Sequence, residues 1–285
     1  MIDHHRIDWD NVTVATYHLR QRFRYEYPGP IFDLSQRMVV LPPAVHGDQR
    51  RLSGSLTVLP HAPAQTTDDG FGNEVVSFFA ARIDGAFEVA VDATVRRTRT
   101  SREPVLPATA SDERAYRESG PLTAADDDIR EVATGLRVRH RNDRELAEAI
   151  AAFVHGELKY AKGVTDVSTT AANAFALKRG VCQDFAHVAL AIARACGLPA
   201  RYVSGHLLGE GATHAWVEFI VPAGRNRATA LSFDPTHGVR TSLRYVVVAV
   251  GGDYADVAPT SGAYRAPYQG TLKASTHVHV GDVGY

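Results

Sequence analysis

The chain has two cysteines in 285 residues, Cys182 and Cys196. Cys182 follows Gly180–Val181 and opens the run CQDFAHVALAIARACGLP, whose small and apolar residues on nearly every side predict a helix surrounded by protein. At such a helix start the unpaired backbone amides and the positive end of the helix dipole favour a negative charge. The thiolate is therefore the stabilised form, and Cys182 is a candidate nucleophile. Cys196 is 14 positions further along the same helix. At about 1.5 Å per residue the two thiols stand roughly 21 Å apart, far beyond disulfide reach. Cys196 reads as a small core residue.

A second group of reactive types lies in THAWVEFIVPAGRNRATALSFDPTHG, two extended runs around a polar, glycine-containing connection. A hairpin symmetric about Gly224 sets Glu218 opposite Ala230, Trp216 opposite Ser232 and His214 opposite Asp234. Directly opposed side chains share a sheet face with Cβ atoms about 5 Å apart, so His214 and Asp234 become hydrogen-bonding neighbours. A carboxylate holding a histidine that activates a cysteine is the general form of thiol-based acyl transfer. Each residue alone also has an ordinary structural reading. It is their joint placement, in the order Cys, His, Asp, that points to chemistry.

An oxyanion formed in such a reaction needs donors aimed at it. The backbone amide of Cys182 is one candidate, and Gln183, Tyr160 and Trp216 are side-chain candidates for the oxyanion or for substrate contact. Asp184 and His187 fall on the buried helix and read as hydrogen-bonded scaffold groups. No metal site is expected. His277 and His279 share a strand face without a third ligand nearby in sequence, and His4–His5 belong to the terminus. Glycine-rich phosphate loops of the GxxxxGK type are absent, no cofactor is called for, and the segment Asp253–Pro259 is given no chemistry.

These residues need elements to hold them. In the first hundred positions apolar residues alternate with period two, as in Tyr17, Leu19, Phe23, Tyr25 and Tyr27, and again in Phe87, Val89, Val91, Ala93 and Val95. Shorter strands are predicted at 38–41, 52–59 and 74–79, so residues 1–100 read as an antiparallel, sandwich-like β domain. Residues 101–120 carry no periodicity and form a linker or wrapping segment. In 121–285, Thr123 is expected to cap a helix carrying Ile129, Val132 and Leu136, and Asn142 another carrying Leu146, Ile150 and Val154. A short helix over 168–177 precedes the Cys182 helix, and strands follow at 201–208, 213–221, 229–234 and 245–250. The fold class is α+β.

Composition bounds the remaining possibilities. With 45% apolar and 22% charged residues, Lys+Arg 31 and Asp+Glu 32, the chain is globular with a formal charge of -1. It has no summed field to draw nucleic acid or an anionic membrane. No apolar run reaches the roughly 18 to 20 residues of a membrane helix, and MIDHHRIDWDN lacks a signal peptide's order, so a cytoplasmic location is expected.

The string DVSTTAANAFALKRGVCQDFAHVALAIARACGLPARYVSGHL, with THAWVEF, SFDPTHG and VAVGGDYADVAPTSGAYR, resembles the bacterial transglutaminase-like proteins of the papain-like cysteine-enzyme superfamily. The strands around YHLRQRFRYEY and the following LPP resemble the β domain that precedes their core. The resemblance implies that Cys182 is the nucleophile, His214 the general base and acid, and Asp234 the residue that orients the imidazole. A tryptophan and glycine often found before FDPT are here Ala230–Leu231–Ser232. The implied activity is acyl transfer on the amide of a peptide or protein through a thioester. Hydrolysis is the expected outcome, with transamidation to an amine acceptor, or a non-catalytic binding module on the same fold, as alternatives.

Overall fold

The computed structural model describes residues 2–100, 104–111, 113–224 and 226–285; positions 101–103 and 112 of the expected linker and position 225 of the expected hairpin turn lie outside the described residues. The alternating positions near the start become strands because each turns one side to a core. β1 (Val14–Met38), β2 (Val45–His46), β3 (Gln49–Leu59), β4 (Ala64–Asp68) and β5 (Glu74–Thr98) form one antiparallel sheet, with neighbours in the order β2, β3, β5, β1 and with β4 also on β5. The β1–β5 pairing is interrupted between Glu26 and Pro30, and opposite that break Gly85 adopts φ +84°, a left-handed backbone that glycine takes without a Cβ clash. Beyond the break, Ile31, Leu34, Met38 and Phe78 join Phe23, Phe87 and Val89 in one core. The sheet thus doubles over on itself.

The chain continues through β6 (Val105–Pro107) and α1 (Arg114–Arg117) into α2 (Asp127–Arg139) and α3 (Asp143–Glu157). Then come β7 (Lys159–Tyr160), α4 (Ala171–Leu177), β8 (Arg179–Gly180) and α5 (Cys182–Ala195). β9 (Ala200–Leu207), β10 (His214–Pro222), β11 (Arg227–Asp234), β12 (Val239–Arg240) and β13 (Tyr245–Gly251) make a second antiparallel sheet, ordered β12, β11, β10, β9, β13, with β6 also on β11. After α6 (Tyr254–Val257), the last strands β14 (Thr260–Arg265) and β15 (Thr271–Gly284) both pair with β1, so the C-terminal extension completes the first sheet. No helix among the described residues is long and apolar enough to cross a membrane.

Two local expectations shift. Thr123 does not cap α2; Asp126 does, its carboxylate accepting from Ile129 N at 2.9 Å. Thr123 is instead buried, and its hydroxyl accepts from the Arg194 guanidinium at 2.8 Å. The β10–β11 hairpin pairs Val217 with Phe233, Glu218 with Ser232 and Ile220 with Ala230, a slip of two residues from the pairing symmetric about Gly224. The turn closes one step later, where Ala223 N donates to Arg227 O at 3.0 Å. An even slip leaves every side chain on its face, so the hydrophobic pattern does not distinguish the two registers.

α5 lies in the centre of the core. Phe185, Val188, Ala189 and Ile192 pack with Ala215, Val217, Phe219, Leu231 and Phe233 of the sheet and with Ile150 and Val154 of α3. The opposite face of that sheet meets the first one. At the open edge of β13, Gln49 exchanges two hydrogen bonds with the backbone of Val247, at 2.8 and 2.9 Å, and Asn73 does the same with Val250, at 2.6 and 2.9 Å. A buried Glu218 bridges the layers, binding Arg201 at 2.6 Å and His46 at 2.9 Å.

Candidate active site

Element ends converge at one rim of the second sheet: Cys182 opens α5, His214 opens β10, Tyr245 opens β13 and Asp234 closes β11. The start of α5 is fixed from within. Val181 N and the Thr165 hydroxyl both donate to Asp184 Oδ2 at 2.7 Å, and a Cβ on Gly180 would collide with that side chain. His187, one turn on, is fully buried; burial pushes its pKa down to about 3, and its Nε2 accepts from Tyr254 N at 3.3 Å.

His214 Nε2 lies 2.7 Å from Asp234 Oδ2. Cys182 is near enough to the same imidazole to influence its proton. Burial works against a charge on His214, but its hydrogen bonds to Asp234 and Glu210 and the neighbouring Cys182 outweigh it and raise its pKa well above the ordinary value. Asp234 is itself fully buried. Burial opposes its charge, yet the hydrogen bonds and charges of His214 and His237 hold its carboxyl at about 2.

Asp234 Oδ2 also receives Tyr245 OH at 2.8 Å and His237 Nδ1 at 2.7 Å, while Oδ1 accepts from Thr236 N at 2.9 Å and His237 N at 3.3 Å. Glu210, in the β9–β10 loop, closes the circuit: Oε2 is 3.2 Å from His214 Nδ1, and Oε1 is 3.2 Å from His237 Nε2. Sequence reasoning gave Glu210, His237 and Tyr245 no role. The one signal present for His237 is its place three residues after Asp234 in the turn that Asp234 caps.

The remaining candidates are placed differently from one another. Tyr160 stands at the mouth, 52% exposed and close enough to Cys182, Glu210 and His214 to feel their charges. Gln183 points away to its own partner, its Nε2 donating to Val167 O at 3.2 Å. Trp216 is buried and stacks on His214, with centroids 6.2 Å apart and planes at 28°. His214, Asp234 and His237 bring ligand-type atoms within 4.8 Å of one another and could hold a metal ion, as could Asp3, His4 and His5. Those at the rim are already engaged in the hydrogen bonds above.

Residues 130–228 match the core of the transglutaminase-like superfamily, and residues 17–96 match the bacterial transglutaminase-like N-terminal region. The core match contains Cys182 and His214 and stops short of Asp234. An uncharacterized protein of Mycobacterium leprae is 38% identical over 146 residues, which is 47% of this chain and 50% of that protein. An uncharacterized protein of Mycobacterium bovis is 30% identical over 275 residues, 86% of each. In three dimensions the chain shares its fold with a candidate cysteine protease of Cytophaga hutchinsonii, at a TM-score of 0.72 and 22% identity, over 95% of this chain and 92% of that one. With both characteristic regions in sequence order, the chain belongs to the bacterial transglutaminase-like family.

Proposed function

We propose that this chain is a cysteine-dependent amidase or peptidase that works through a thioester on Cys182. One observation carries the reading: His214 sits beside Cys182 at the start of α5, and its Nε2 is held 2.7 Å from a buried carboxylate. With Nε2–H fixed on Asp234, Nδ1, which faces Glu210 Oε2 at 3.2 Å, is the nitrogen left to exchange a proton with the substrate. The Cys182 thiolate attacks an amide carbonyl carbon, and the C=O π electrons move to oxygen. The backbone amide of Cys182, at the first helical position, is the assigned donor to that oxyanion. The electrons return, the C–N bond breaks, and Nδ1–H supplies the proton that the departing nitrogen needs. A water then gives its proton to Nδ1 and attacks the thioester, releasing a carboxylic acid and the thiolate.

Hydrolysis is favoured over transfer to an amine because the mouth is open to solvent. Tyr160 is 52% exposed, and the side chains of His237 and Glu210 are 42% and 36% exposed. A non-catalytic module would not need all three triad residues. Incubation of the intact chain with p-nitrophenyl acetate should add one acetyl group at Cys182, released again by water, and Cys182→Ala should carry none. A wild-type chain that never acquires the adduct would refute the reading.

A further inference from the structure

Glu210 stands on the side of His214 from which the proton is delivered. Its Oε2 is 3.2 Å from Nδ1, and Nδ1 must come within hydrogen-bond distance of the departing nitrogen. Any leaving group therefore comes within roughly 6 Å of a carboxylate, two hydrogen-bond lengths away. That carboxylate is ionised, its pKa lowered by the hydrogen bond from His214 and the charges of His214 and His237 against the effect of burial. Each of its oxygens has one imidazole nitrogen at 3.2 Å, and a carboxylate offers about four lone-pair sites, so both oxygens retain capacity for a further donor.

Two features keep that capacity reachable. Glu210 is 36% exposed, and it is flanked by Gly209 at φ +100° and Gly211 at φ +67°, which add no side chains beside it. The local charge also has a sign. With Cys182 acylated and His214 neutral, as it must be to accept the proton of an attacking amine, Glu210 and Asp234 supply two negative charges against at most the one of His237.

We infer that Glu210 makes the leaving-group side of the site a cation subsite, selecting amides whose departing amine carries a further positive charge, such as the α-nitrogen of a lysine or arginine residue. Glu210 is a specificity-determining residue here, and the inference rests on the acyl-transfer reading above. The subsite faces the departing amine and, by microscopic reversibility, any amine that attacks the thioester in its place.

The test separates the two readings. Cys182 is first loaded with p-nitrophenyl acetate, and the adduct is read by intact mass. The loaded chain is then offered lysinamide, norleucinamide and glutamic acid α-amide, which differ in side-chain charge. Wild type should be captured by lysinamide about five- to tenfold more efficiently than by norleucinamide, and least by the glutamic acid amide. Glu210→Gln should bring the first ratio near one, and Glu210→Arg should reverse the order, in chains whose circular dichroism matches wild type. An unchanged ratio in both variants overturns the inference. So does an equal change for all three amines, which would mean that Glu210 acts only on His214 or only blocks the mouth. Failure of the wild-type chain to load overturns the acyl-transfer reading, and the subsite with it, before any amine is added.

Discussion

Tyr245 and His214 donate to the same atom: both the phenol and the imidazole Nε2 end on Asp234 Oδ2, at 2.8 and 2.7 Å. The oxygen that orients the imidazole is therefore itself oriented, by the first residue of a strand three places away in the sheet. Burial and the neighbouring carboxylate keep the Tyr245 phenol neutral, so it acts as a permanent donor.

Asp234→Asn should lower the turnover of an accepted amide by at least about a hundredfold, because the amide cannot stabilise the imidazolium and can favour the wrong tautomer. Tyr245→Phe removes one donor of several and should cost no more than about tenfold. Steady-state rates on one substrate check both. Wild-type turnover in Asp234→Asn would remove that residue from the mechanism.

Acid should unfold this chain from a higher pH than its carboxylates alone would require. Burial pushes His187 down to about 3 and His206 down to about 4. Below the unfolded value of about 6.5 the denatured chain binds protons that these two folded imidazoles refuse, so stability falls by roughly 1.4 kcal/mol per pH unit for each. Asp234, held at about 2, adds stability that is present above about 3.9 and is lost as pH falls toward 2. Unfolding free energies from urea titrations at pH 7.5 and 4.5 should differ by several kcal/mol, and His206→Gln should make the slope shallower. Equal values would contradict this.

The two cysteines offer an internal comparison. Cys196 is buried, its thiol pushed up to about 11 by burial and hydrogen-bonded to Ala133 O at 3.3 Å, whereas Cys182 is half-buried beside His214. Brief iodoacetamide treatment near neutral pH should alkylate Cys182 first and abolish activity, and His214→Ala should slow that alkylation without affecting Cys196. Peptide mapping reads both sites; equal labelling would mean the start of α5 is ordinary packing.

Glu218 is buried between Arg201 and His46, and those charges, working against burial, pull its carboxyl far below the usual range. Glu218→Ala should cost about 3 to 5 kcal/mol in urea unfolding by leaving the Arg201 charge uncompensated, and Arg201→Met in the same chain should recover much of that loss. A single-variant cost below about 1 kcal/mol would show that the pair relaxes into solvent.

Much of this architecture is visible in the sequence because it is periodic. The alternation in β1 and β5 and the apolar surround of α5 mark strands and a central helix without reference to any partner. Pattern also places His214 and Asp234 on one face, but it is blind to an even slip, so Asp234 sits diagonally to His214 and not across from it. The roles of Glu210 and His237 follow from the path of two non-repeating loops, which no periodicity encodes. Thr123 reads as a cap because its residue type suits one, while the competing demand, the buried Arg194 guanidinium, comes from 71 residues away.

β13 is an edge strand, and an open edge is a template on which another chain can add itself. Gln49 and Asn73 each present a donor and an acceptor to it, so two side-chain amides stand in for the peptide groups of a missing neighbour. The first sheet therefore shields the second from self-association. A fragment beginning at Pro104 would retain Cys182, His214 and Asp234, yet it would leave the Val247 and Val250 backbone open to a second molecule, so the edge of the core is covered by residues that lie outside it.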